Sequence, residues 1–164
     1  MGGNSANHHT QKTTMGLDMY MTAKKNFYSE DGDTFADLLK AANLEPSDVD
    51  EGFSSSVVSF KMGYWRKANA IHAWLVKNVQ SGKDDCSEYY VTRKNLETLK
   101  LTCEYALKDL TKAEELLPPQ QGFFFGSQTI DEGYEQDLER TIAIIDRCLS
   151  DKFKDWDFYY QASW

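Results

Sequence analysis

Leu96, Leu99, Cys103, Ala106, Leu110, Ala113 and Leu117 recur at spacings of three and four, and Pro118-Pro119 closes the run. A stripe of that period is one face of a long helix, predicted over residues 93–117 with Thr92 as its N-cap. Its apolar side must be buried against another layer, so the rest of the chain has to supply one. Two segments do so by alternating with period two. Leu17, Met19 and Met21 alternate with Asp18, Tyr20 and Thr22 in a strand over 17–28. Trp156, Phe158, Tyr160, Ala162 and Trp164 alternate with Asp157, Tyr159, Gln161 and Ser163 in a closing strand.

The remaining segments fall between these. Residues 1–14 are polar, include His8-His9, have no periodicity and read as a disordered extension; residues 15–164 read as a single domain. SEDGD is a turn, and TFADLLKAANL a short helix stopping before Pro46. After an acidic loop, residues 54–62 read as a second strand, from which Gly63 releases the chain into a central helix over 64–80. Residues 87–91 are a short strand. GFFFGS at 122–127 is a loop or short strand. Asp131 opens a third long helix whose buried face is Tyr134, Leu138, Thr141, Ile142, Ile145 and Leu149. The expected class is α+β, with three long helices packed beside a small, mostly antiparallel sheet.

Composition excludes several functions. A formal net charge of -8 argues against binding a nucleic-acid backbone, which relies on Lys and Arg displacing counterions. No apolar run approaches the ~20 residues of a membrane span, and no secretory leader is visible. Ala6 stands where a myristoylation signal needs Ser or Thr. Cys86, Cys103 and Cys148 are odd in number and lack CxxC spacing, which fits reduced thiols in the cytoplasm.

The densest chemistry lies in YWRKANAIHAWLVKNVQSGKDDCSEYYV. On a helical wheel Tyr64, Ala68, Ile71, Leu75 and Val79 form an apolar arc. His72 falls within that arc, as a buried imidazole bonded to a carboxylate or carbonyl, or as a general base. Trp74 falls among Lys67, Ala70 and Lys77, as a doubly covered residue or as a stacking platform for a planar ligand. Arg66 and Lys67 would sit in the first helical turn, where the helix dipole disfavours cations. A compensating anion is expected there: Asp84, Asp85, the C-terminal carboxylate or a bound ligand.

Asp84-Asp85-Cys86-Ser87-Glu88 lacks the ligand order of an EF-hand, and no metal site or cofactor is expected. If the protein were an enzyme, His72 would work with Asp85, Cys86 or Glu88. No nucleophile-elbow, zinc-protease, zinc-ribbon or dinucleotide fingerprint occurs. A ligand site would draw on Arg66, Lys67, Asn69 and Trp74, with Phe124 and Ser127 from the GFFFGS loop.

MGLDMY, YWRKANAIHAW, DDCSEYYV, GFFFGS and DWDFYYQASW together resemble a family of small acidic bacteriophage and prophage proteins, over nearly all of the chain from Met15. The resemblance implies a viral accessory protein in the host bacterial cytoplasm and carries over no functional residues. The leading expectation is a non-catalytic protein that sequesters a small anionic, nucleotide-like ligand. The alternatives are an inhibitor docking a host protein through an acidic or aromatic surface, and a small hydrolase built on His72. A homo-oligomer is also compatible with the aromatic C-terminal strand.

Overall fold

The computed structural model describes residues 16–50, 52, 54–122 and 126–164. The expected extension over 1–14 and the candidate Phe124 lie outside the described residues. The class is α+β, with a four-stranded antiparallel sheet and, among the described residues, five α-helices rather than three. Strand β1 spans Asp18–Tyr28, helix α1 Asp33–Ala41, strand β2 Ser55–Arg66 and helix α2 Asn69–Asn78. Strand β3 spans Tyr89–Val91, α3 Arg93–Lys108, α4 Ala113–Leu116, α5 Glu132–Cys148 and β4 Asp157–Ser163. The sheet order is β2-β1-β4-β3, which puts β2 and β3 at the edges.

Met19, Met21 and Ala23 of β1 and Phe158, Tyr160 and Ala162 of β4 are buried on one sheet face. They meet the α3 stripe of Leu96, Leu99, Cys103 and Ala106. Among the described residues, no helix packs over the opposite face, which is partly exposed. It carries Tyr20, Tyr64, Tyr159 and Tyr90 as cross-strand neighbours, with ring centroids 5.4 Å apart for Tyr20 and Tyr64 and 5.7 Å apart for Tyr90 and Tyr159.

The central helix is the largest correction. Residues 64–66 continue β2, and α2 begins only at Asn69. The cause is Gly63, which does not end a strand but lets a helix approach one. A Cβ there would lie 2.4 Å from Cδ1 of Ile144 on α5. Trp65 is then fully buried, and its indole N–H donates to Thr141 Oγ1 at 2.8 Å. The chain turns at Lys67, which adopts φ 59. Arg66 and Lys67 therefore precede the helix rather than occupying its first turn, and the dipole argument for a compensating anion does not apply to them.

The helix predicted over 93–117 is broken. Thr92 caps α3 as expected, its hydroxyl accepting from Asn95 N–H at 3.0 Å. At Asp109, however, the side chain accepts from Thr111 N–H at 3.1 Å, offering the backbone a turn in place of the helix. Leu110 consequently leaves the stripe and is 36% exposed. On α5 the capping residue is Asp131, as expected, but the buried face includes Ile144 and Cys148 while Ile142 and Leu149 are only partly buried. Trp164, expected on the inward side of β4, is instead 48% exposed.

Candidate functional site

Helix α2 separates two clefts, and the candidates expected to form one constellation divide between them. The larger cleft encloses about 890 Å³ and is lined by His72, Trp74, Lys77, Asp84, Gln120 and Gln121 among others. The smaller, about 300 Å³, takes Arg66, Lys67, Ser127, Asp131 and Asp137. Asn69 lines both.

His72 comes from the inward side of α2 and is 3% exposed. Its Nε2 lies 3.0 Å from Asp84 Oδ2, and its Nδ1 lies 2.7 Å from the Tyr160 hydroxyl. A carboxylate only accepts, so Nε2–H donates to Asp84, while the Tyr160 hydroxyl can serve Nδ1 as donor or acceptor. Burial raises the Tyr160 hydroxyl well above its ordinary pKa, with the Asp84 charge adding to the effect. The other Asp84 oxygen accepts from the Trp164 indole N–H at 3.0 Å. Trp164, Asp84, His72 and Tyr160 thus form a hydrogen-bonded chain, of which His72 and Asp84 line the larger cleft.

The carboxylates expected to assist His72 are engaged elsewhere. Asp85 accepts from the Tyr89 hydroxyl at 2.8 Å and from Ser87 N–H at 3.1 Å, and these bonds hold its carboxyl below the usual range. Glu88 pairs with Lys24 at 2.5 Å. Cys86 is half-buried at φ 58, and its carbonyl accepts from Gln161 Nε2 at 2.9 Å. Burial pushes the thiols of Cys103 and Cys148 up to about 12, so both are poor nucleophiles. Among the described residues no group of three or more His, Cys, Asp and Glu side chains is placed to hold a metal ion, and no helix is long and apolar enough to cross a membrane.

Asn69 is a staple. Its Oδ1 accepts from Gln120 N–H at 2.9 Å, and its Nδ2 donates to the Ser127 carbonyl at 2.9 Å. The Ser127 hydroxyl is 2.6 Å from that of Thr129, and Gly126 packs against Lys67, where a Cβ would come within 3.0 Å of the Lys67 Cβ. Half-buried Asp137 also faces the smaller cleft; burial pushes its carboxyl up to about 6, partly opposed by Arg140.

Trp74 and Lys77 were both legible from the wheel as polar-flank residues, and the structure puts them on one cleft with His72. Nothing in the sequence signals Tyr160 as a partner of His72 or Trp164 as a partner of Asp84, since β4 reaches them only through the sheet. The sequence offers Asp84 only as one of several anions for Arg66 and Lys67. Comparisons with models of known protein families, with curated proteins and with solved structures found no match.

Proposed function

We propose that the protein is a non-catalytic accessory protein, of the phage type its sequence resembles, that binds a small anionic, nucleotide-like ligand in the larger cleft. One observation supports this most: Trp74 and Lys77 stand together on the flank of α2, facing a cleft that Gln120 and Gln121 also line. A half-buried indole offers a stacking surface for a base, the ammonium meets a phosphate, and carboxamides can pair with the edge of a ring. A cleft of mixed apolar and convergent polar lining is the usual form of a small-molecule site. The hydrolase alternative is less well supported, because both ring nitrogens of His72 already have partners and Asp85 and Glu88 are held by others.

Thermal shift and calorimetry against a panel of mononucleotides and cyclic dinucleotides test the proposal. Binding is expected to be lost in Trp74→Ala and weakened in Lys77→Ala, with Arg66→Ala and Lys67→Ala unaffected. Loss of binding in the latter pair instead would move the site to the smaller cleft. A folded protein that shifts with no member of the panel would refute the reading.

A second reading, a protein inhibitor docking a host protein, is favoured by the uncovered sheet face. Tyr64 is 42% and Tyr90 53% exposed there, and tyrosines supply large contact area at low entropic cost. Capture of one host protein by the native chain, lost in Tyr64→Ser with Tyr90→Ser and retained in Trp74→Ala, would support it over ligand binding.

A further inference from the structure

Strand β2 is a sheet edge over its whole length, and among the described residues no strand pairs with its outer side. Such an edge presents unpaired N–H and C=O groups, and natural sheets commonly guard it with an outward lysine. The guard is missing here. Lys61 is turned onto the open sheet face, with its ammonium donating to Thr22 Oγ1 at 3.2 Å and lying 5.0 Å from the Tyr20 ring centroid. Near the other end, Arg147 donates to the Met62 carbonyl at 2.6 Å, and at the start of the strand Ser54 is bonded to Asp50 and Ser29, so the stretch left open is residues 55–60. Val57 and Phe60 in that stretch are 58% and 54% exposed.

The charges around this strand have a direction. Glu45, Asp48 and Asp50 precede it, SSSVVSF at 54–60 carries no charge, and Lys61, Arg66 and Lys67 follow. Two such segments laid antiparallel set the acidic entry of each beside the basic exit of the other. Laid parallel, they set like against like. The pattern is therefore complementary to itself under a two-fold axis. It also relieves the repulsion that two chains of net charge -8 otherwise experience, because the contact strip is uncharged and its flanks attract.

We propose that β2 pairs with β2 of a second copy of this chain, antiparallel across residues 55–60, joining two four-stranded sheets into one continuous sheet. The occupant is a second copy because the same sequence reversed satisfies both halves of the charge pattern at once.

Sedimentation equilibrium of the full chain, from micromolar to millimolar protein, tests this. A reversible dimer weakened by added salt is expected. Backbone amides within 55–60 should become protected from hydrogen exchange as concentration rises. Val57→Lys places a charge in the strip at an exposed position and should raise the dimer dissociation constant by about tenfold or more. Val57→Thr, β-branched and uncharged, should leave it unchanged, and both variants should melt like the native monomer. A chain that stays monomeric throughout the range overturns the proposal. So does a dimer whose 55–60 amides exchange freely and which Val57→Lys leaves intact, since that contact lies elsewhere on the surface.

Discussion

The Nδ1 atom of His72 lies 2.7 Å from the hydroxyl of Tyr160, joining α2 to the strand that closes the sheet across 88 positions of sequence. Tyr160 is fully buried, so this bond is made away from water and ties the inner wall of the larger cleft to the core. Tyr160→Phe keeps the ring and removes the hydroxyl. It should destabilise the fold by about 1–3 kcal/mol, the typical range for disrupting a buried hydrogen bond. Urea unfolding should show a lower midpoint with an unchanged slope; an unchanged midpoint would mean the bond contributes nothing net.

Gly63 and Ile144 are a matched pair. The missing Cβ at Gly63 is the space that Ile144 fills, at 2.4 Å from where that atom would stand. Gly63→Ala should therefore cost about 1–3 kcal/mol by overpacking. Combined with Ile144→Ala, it should cost less than the sum of the two single changes, because the shortened partner gives way. Thermal unfolding of the four proteins in the cycle measures the coupling; strict additivity would refute the steric account.

Asp137 gives the fold a pH dependence of known sign. In the unfolded chain an aspartate titrates near ~3.9; in the folded chain burial pushes Asp137 up to about 6. Folding therefore takes up a proton between about pH 4 and pH 6, and stability from this group falls as pH rises through that window. Asp137→Asn removes the penalty. Since the side chain is only half-buried, solvent screening limits the gain to about 1 kcal/mol above pH 6. Denaturation midpoints of the two proteins should converge near pH 4 and separate in favour of the variant at neutral pH. A variant less stable at neutral pH would show that the carboxylate has an attractive partner in the smaller cleft.

The sequence was most informative where local chemistry decides the outcome. Thr92 and Asp131 cap helices because their side chains reach the first free amides, and the alternation survives along β4 and in β1 as far as Thr22, which is itself buried. It was least informative where a distant residue decides. The apolar spacing of Tyr64, Ala68, Ile71 and Leu75 fits a helix as well as it fits a strand end followed by a helix. The choice between them rests on Ile144 and Thr141, which meet Gly63 and Trp65 only after α5 has docked. Asp84 and Asp85 are adjacent and chemically identical in the sequence, yet the turn aims one at His72 and the other at Tyr89. Nothing local distinguishes them.

The carboxamide of Asn69 has a consequence for how the clefts behave. That side chain holds the chain at Gln120 and again at Ser127, so one residue ties two points of it. Gln120 borders the larger cleft and Ser127 the smaller. Any change that unties Asn69 releases a wall of each simultaneously, so two cavities that share no occupant rise and fall as one thermodynamic unit.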